Sequence, residues 1–322
     1  MNDASWRPSA TLATLQRRAA MLHAVREFFR ERNVLEVETP VVLSNTVTDP
    51  QIASLAVDLA PPRYLHTSPE YPMKRLLAAG SGDIYQVCHT FRSGERSPTH
   101  NPEFTMIEWY RSGFDLQQIM TETAALVAQL LQVPGTPALG AESLSYNDAF
   151  RRELDCDALA APTQQLADLC STHGLAEQSV ATATRDDLLD FLVATRVGPR
   201  LGMGRITCLH HYPASQAALA QLDASDPRTA LRFEVYVQGL ELANGFVELA
   251  NAGEQRMRFN TDQVQRARRG LSAIEPDQKL LAALESGLPA CAGVALGFDR
   301  LVMLATGATS IDAVMAFSWE RA

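Results

Sequence analysis

Phe91-Arg92-Ser93-Gly94-Glu95, a short polar stretch, and then His100-Asn101-Pro102-Glu103-Phe104-Thr105-Met106-Ile107-Glu108-Trp109-Tyr110 form the part of the chain that decides its fold. Residues 84–92 and 104–111 read as two strands, with the polar residues 93–103 as the loop between them. Side-chain alternation along the second strand puts Phe104, Met106, Glu108 and Tyr110 on one face and Thr105, Ile107 and Trp109 on the other. A face that carries aromatic rings beside a carboxylate suits a flat base and an ammonium group. Taken alone, it reads equally as an edge strand with a solvated glutamate.

On the N-terminal side, residues 11–32 read as a helix with Leu12, Leu15, Ala19, Leu22 and Phe29 as its apolar stripe. That stripe fits a core contact or a dimer seam. A short strand over 34–39 follows, closed by Pro40, which has no N–H to give a sheet. Next comes His66-Thr67-Ser68-Pro69-Glu70, in which Thr67 or Ser68 is the expected N-cap and Glu70 falls in the first helical turn. Glu70 alone is explained by a capping box.

On the C-terminal side, a helix is expected over 115–132. Residues 133–226 are irregular, rich in Ala, Pro and Asp, with one helix near 186–195, and read as an insertion or helical appendage. Residues 231–237 and 241–249 read as a hairpin. Helices over 254–268 and 277–285, a strand over 293–296 and a helix over 299–306 complete the chain. Hairpins with helices clustered between them indicate an α+β fold rather than a doubly wound parallel sheet.

In the hairpin, Phe233, Val235 and Val237 face the core and Glu234 looks outward. A two-residue turn at Gln238-Gly239 puts Glu234 and Glu241 on one face, and a bulge at Asn244-Gly245 brings Glu248 to it. Three converging carboxylates need a cation, either magnesium with ATP or a substrate ammonium. In Gly293-Val294-Ala295-Leu296-Gly297-Phe298-Asp299-Arg300, spaced glycines let a ligand approach the backbone. Asp299 is the expected N-cap, and Arg300 points back at the sheet. No GxGxxG or GxxxxGK[ST] loop occurs, so nucleotide phosphates would be held by side chains, chiefly arginines.

Composition narrows the class. A net charge of -9 argues mildly against a nucleic-acid groove. The five cysteines, Cys88, Cys156, Cys170, Cys208 and Cys291, show no metal-ligand or disulfide spacing, which fits reduced thiols in a cytoplasmic protein. There is no signal-peptide pattern, and no apolar run approaches the roughly 18 residues of a spanning helix.

Together and in this order, these stretches resemble the class II aminoacyl-tRNA synthetases. The first helix, strand and Pro40 are similar to motif 1, Phe91-Arg92 through Glu108 to motif 2, and Gly293 to Leu301 to motif 3. The likeness covers nearly the whole chain. Thr67-Ser68-Pro69-Glu70, His100 to Phe104 and Asn244-Gly245-Phe246-Val247-Glu248-Leu249 place it nearest the lysyl-tRNA synthetases. It implies a single catalytic domain over 1–322, an antiparallel sheet of six to seven strands flanked by helices.

The resemblance also implies roles. Arg92 and Arg300 would be catalytic, Arg92 on the α-phosphate and in the transition state. Phe104 and Arg300 would sandwich adenine, with Gly94, Glu95, His100, Asn101, Glu241, Leu242 and Gly297 completing the ATP site. Glu234 and Glu241 would hold magnesium with ATP. Glu108, Tyr110 and Glu248 would receive the ε-ammonium of a lysine-like acid and Glu70 its other amine, alongside Ser68, Pro69, Asn244, Phe246 and Ala295. Motif 2 in this branch usually reads Phe-Arg-x-Glu. Here Gly94 stands at the glutamate position, with Glu95 next to it.

Lysyl-tRNA synthetases carry an N-terminal anticodon-binding barrel. Motif 1 begins here near residue 10, so a catalytic domain without that barrel is expected. Such a chain is similar to the elongation factor P–lysine ligases, with landmarks at Ala4 to Ser9, Ser68 to Tyr71, Pro213 to Gln216 and Ala316 to Ser318. The likeness implies a cytoplasmic homodimer that uses ATP and Mg2+ to activate (R)-β-lysine or lysine. The acyl group would pass to a lysine of elongation factor P, with neither tRNA nor membrane as partner. Ala295 occupies a position that is usually glycine in lysyl-tRNA synthetases, and its methyl would crowd an α-amino group and favour a β-amino acid. The alternatives are a truncated lysyl-tRNA synthetase-like enzyme acting on tRNA, and a non-catalytic paralogue serving as a binding or regulatory subunit.

Overall fold

Thr11 caps the first helix, accepting the Thr14 N–H, and Leu12–Arg30 then runs for 19 residues. Its buried residues are Met21, Val25, Phe28 and Phe29; of the stripe expected from spacing, Phe29 alone is among them. Leu12 is 71% exposed. The buried face is rotated because it must also admit Arg18, which pairs with Asp299. Phe29 stacks on Tyr85 with centroids 4.3 Å apart and lies 5.4 Å from the Trp109 ring. The computed structural model describes residues 6–133, 135 and 137–322; Ala4 and Ser5 of the first landmark lie outside the described residues.

The contacts divide the chain into two compact units, Met1–Phe114 with Leu249–Ala322, and Asp115–Glu248. In the first, the strand order is Leu35–Glu36, Ile84–Phe91, Glu103–Ser112, Cys291–Gly297. The expected strand over 34–39 shrinks to Leu35–Glu36 and pairs parallel with Ile84 and Tyr85. The other two pairings are antiparallel. Both faces of Glu103–Ser112 are covered: Ile107 and Trp109 are buried on one, Met106, Glu108 and Tyr110 on the other. A solvated edge glutamate is therefore excluded. A small sheet of Val42–Leu43, Arg63–Leu65 and Ala56–Val57 was not foreseen from sequence.

In the second unit the order is Leu240–Val247, Thr229–Val237, Ile206–Pro213, Ala141–Ser145, the last pair parallel. The stretch read as irregular holds the last two of these strands. It also holds the helices Tyr146–Leu154, Thr163–Thr172, Glu177–Thr182 and Arg185–Leu192. It has its own core around Tyr146, Phe150, Leu166, Leu189 and Leu209. Ile206–Pro213 hides from pattern reading because His211, at φ 57°, interrupts its alternation with a register shift between His210 and Tyr212. With these two strands added to the six expected, eight lie in the main ladders among the described residues.

The hairpin turn is as expected. Gln238 (φ 52°) and Gly239 (φ 73°) both take the left-handed region, as a type I′ turn requires. A Cβ on Gly239 would lie 2.9 Å from the Pro199 carbonyl oxygen, so glycine is needed on both counts. The bulge is not at Asn244-Gly245. The register shifts between Glu241 and Ala243, placing it at Leu242, closer to the turn.

Candidate functional site

Glu70–Ala78 begins at a Pro69 cap, not at Thr67 or Ser68, because the ring of Pro69 fixes φ near the helical value. Ser68 still helps: its Oγ accepts the Glu70 N–H at 3.0 Å. Glu70 is more than a first-turn acid, since its Oε1 takes the Lys74 ammonium at 2.6 Å. Lys74 is 1% exposed, and an ammonium that deep must be paired.

Glu108 lies in the same cluster, 2% exposed. The Tyr110 hydroxyl donates to its Oε1 at 2.7 Å. Its Oε2 is buried with no hydrogen-bond partner among the described residues. Burial and then the Glu70 charge push its carboxyl up to about 8, against the pull of Tyr110, Ser68 and Lys74. Two cross-strand neighbours flank Glu108 on the same face, Gln86 on one side and Ala295 on the other. Gln86 is 2% exposed, and its Oε1 also lacks a partner. A cluster with surplus buried acceptors and a costly anion is one that a cation would complete.

Arg92 leaves the same hairpin. Its Nε reaches the Thr67 carbonyl at 3.4 Å, its Nη1 lies 3.5 Å from Glu95, and its guanidinium stands 5.2 Å from the Phe104 ring centroid. Gly94 takes φ 79°, a turn that carries Glu95 back onto Arg92. Glu95 therefore stands beside the arginine despite the glycine at the usual glutamate position.

Arg300 donates through Nη2 to His100 Nε2 at 2.5 Å and through Nε to the Thr99 carbonyl at 3.2 Å. His100 must then accept at Nε2 and carry its proton on Nδ1, which donates to Ser97 Oγ at 2.7 Å. Burial and then the Arg300 charge lower its pKa, in keeping with a neutral ring. Asn101 Nδ2 donates to the Glu103 carbonyl at 2.6 Å, and its buried Oδ1 has no partner among the described residues.

Asp299 is not the cap of Phe298–Thr306. That position is Gly297, which pairs with Met106. The Asp299 side chain turns inward instead and accepts from Arg18 Nη1 at 2.5 Å and from the Thr105 N–H at 2.6 Å. Arg18 Nη2 also donates to Thr105 Oγ1 at 2.8 Å. One carboxylate thus ties the first helix, the Glu103–Ser112 strand and the last long helix together.

The second unit holds the other candidates. Glu234 does not look outward to solvent; it is 7% exposed. Its Oε1 accepts from Arg232 Nη2 and its Oε2 from the Tyr236 hydroxyl, both at 2.7 Å. Glu241 pairs with Tyr236, and past the bulge Asn244 pairs with Glu234 and Phe246 with Arg232. Glu234, Glu241, Asn244 and Phe246 therefore share a face, while Leu242, the bulge residue, is buried. Glu248 is 1% exposed, and its carbonyl accepts from Gln221 Nε2 at 2.9 Å.

Among the described residues no group of three His, Cys, Asp or Glu could hold a metal. Both Glu234 oxygens already accept hydrogen bonds.

Ser68, Pro69, Glu70, Arg92, Gly94, Glu95, His100, Asn101, Phe104, Glu108, Tyr110, Ala295, Gly297 and Arg300 all fall in the first unit. Glu234, Glu241, Leu242, Asn244, Phe246 and Glu248 fall in the second. Sequence reasoning missed Lys74, Gln86 and Arg18. The four-residue spacing of Glu70 and Lys74 signals the first. Strand register reveals the second, and an arginine within a predicted apolar helix hints at the third.

Residues 4–321 match the model of class II tRNA synthetases (D, K and N). The chain is 48% identical to the elongation factor P–(R)-β-lysine ligase of Klebsiella pneumoniae strain 342 over 326 residues, 99% of each chain. It is 48% identical to that of Edwardsiella ictaluri over 330 residues, 100% of each. The same identity holds for that of Pectobacterium atrosepticum over 325 residues, 99% of this chain and 98% of the relative.

Proposed function

Because this chain belongs to the class II tRNA synthetase family of the D, K and N types, we propose that it activates (R)-β-lysine as its adenylate and transfers it to a lysine of elongation factor P. The names of the 48% identical relatives support the substrate and acceptor. The observation that carries the substrate class is the buried Glu108 Oε2 without a partner beside the Tyr110–Glu108 bond. Cytoplasmic action as a homodimer belongs to the same proposal.

In the first step a substrate carboxylate oxygen bonds to the α-phosphorus of ATP and diphosphate leaves. Two anions must meet, so catalysis is charge neutralisation and alignment rather than a protein nucleophile. Arg92 faces the α-phosphate, and Arg300, fixed by Thr99 and His100, supports the adenine against Phe104. Magnesium, for which Glu241 and Glu234 are the candidate ligands, would supply further neutralisation. In the second step the acceptor amine nitrogen bonds to the acyl carbon, AMP leaves and the amine gives up a proton.

ATP–pyrophosphate exchange tests the reading. Exchange should depend on (R)-β-lysine more than on α-lysine; no diamino-acid-dependent exchange would overturn it. The Ala295 methyl lies opposite Glu108 in the strand pair. Ala295→Gly is expected to shift preference toward α-lysine by about tenfold, on the scale of a pocket differing by one methyl group. An unchanged preference would remove Ala295 from the account of specificity. Offering the adenylate to elongation factor P and to tRNA separates amide from ester formation.

A pH dependence follows from Glu108. An ammonium binds its carboxylate form, and in the free protein the raised pKa of about 8 keeps the carboxyl largely protonated below that pH. Binding must expel that proton. Thus kcat/KM for the diamino acid should rise on the order of tenfold from pH 6.5 to 8.5, then level off. A profile flat across this window would show that Glu108 is already ionised.

A further inference from the structure

We propose that Gln86 is a substrate-binding residue whose amide oxygen, side by side with Glu108 Oε2, completes the seat for the distal ammonium of the diamino acid. The proposal rests on the diamino-acid reading of the site and adds a contact to it. Gln86 and Glu108 are directly paired in the antiparallel ladder of Ile84–Phe91 and Glu103–Ser112, so their side chains leave the same face as immediate neighbours. Each is 2% exposed. Each presents one buried oxygen without a hydrogen-bond partner among the described residues, Gln86 Oε1 and Glu108 Oε2. Buried acceptors are nearly always satisfied, and two unsatisfied ones on adjacent residues point to a shared donor.

An ammonium is that donor. It carries three N–H groups and no acceptor, so it needs several oxygens at once. Glu108 Oε1 is partly used by the Tyr110 hydroxyl, which leaves Oε2 and the Gln86 amide as the open positions. Chemistry favours an amide here. A second carboxylate would add charge to a pocket that already holds Glu70 and Glu108, whereas an amide adds an acceptor without repulsion or a further ion to desolvate.

The experiment compares wild type with Gln86→Met, which keeps volume but removes the acceptor. The substrates are (R)-β-lysine and 3-aminohexanoic acid, which is the same acid without the distal amine. In exchange assays Gln86→Met should raise KM for (R)-β-lysine at least tenfold, leave KM for ATP within twofold, and reduce the preference for the diamino acid by the same factor. Gln86→Glu, which keeps an acceptor, should hold that preference within about threefold. Gln86→Asn, whose amide is drawn back by one methylene, should show the methionine variant's loss and serves if that variant does not fold. Preference unchanged in the folded Met or Asn variant, or both substrates weakened equally, would overturn the proposal. Calorimetric titration of (R)-β-lysine without ATP reads the same seat without turnover. A wild type that binds but does not exchange would sink the adenylation reading while leaving the seat standing.

Discussion

Arg92→Ala is expected to slow adenylate formation on the order of 10³-fold while leaving the protein folded. The size follows from what an arginine on a transferring phosphoryl group supplies, a fixed charge in a site that excludes water. Arg92 leaves its strand at the tip of the hairpin, with weak restraints from the Thr67 carbonyl at 3.4 Å and Glu95 at 3.5 Å. Its removal therefore costs little stability. Its charge is free to serve a ligand, because neither contact is a tight ion pair. Arg92→Lys should recover only a fraction, since a point charge cannot reproduce the planar donor fork. Single-turnover adenylate formation is the direct measurement. A drop below tenfold would mean that the α-phosphate is neutralised elsewhere.

Asp299→Ala should produce the opposite pattern, a loss of stability before any specific loss of chemistry. The Asp299 carboxylate is buried and paired with Arg18 at 2.5 Å. It also accepts the buried Thr105 N–H. Removing it takes the counter-charge from the Arg18 guanidinium, which keeps only neutral acceptors at Thr105 and Val314, and the acceptor from the Thr105 amide, with an expected cost of about 3–5 kcal/mol. Asp299→Asn retains one acceptor and should cost less. Urea unfolding of the two variants against wild type measures both. A change under about 1 kcal/mol for the alanine variant would show that Arg18 finds another partner.

The elements carrying the chemistry were legible because each obeys a local rule. Alternation placed Phe104, Met106, Glu108 and Tyr110 on one face, and the Gln238-Gly239 turn fixed where the second hairpin reverses. What stayed hidden was set by tertiary partners. The first helix buries Phe28 beside Phe29 and turns Arg18 inward because Asp299 waits there, and no helical period encodes that. Ile206–Pro213 was lost because a left-handed His211 breaks its alternation. Asp299 looked like a helix cap because aspartate before a helix usually is one; here Gly297 starts the helix and frees the carboxylate.

Among the proposed binding residues, the single-strand pattern found Glu108 but not Gln86. A neutral glutamine in a strand carries no signal until its cross-strand partner is known. Lysine is ordinarily a surface residue, whereas Lys74 is 1% exposed and takes Glu70 as its counter-charge.

The displaced bulge makes the length of the second hairpin as consequential as its residues. Side chains on a strand alternate strictly, so Glu241 and Asn244, three positions apart, would face opposite ways in regular pairing. The extra residue at Leu242 is the half-step that brings them, and Phe246, back into phase with Glu234. Losing one residue between Glu241 and Asn244 would leave every functional side chain in the sequence and turn half of them over. In this stretch the spacing is itself part of the candidate site.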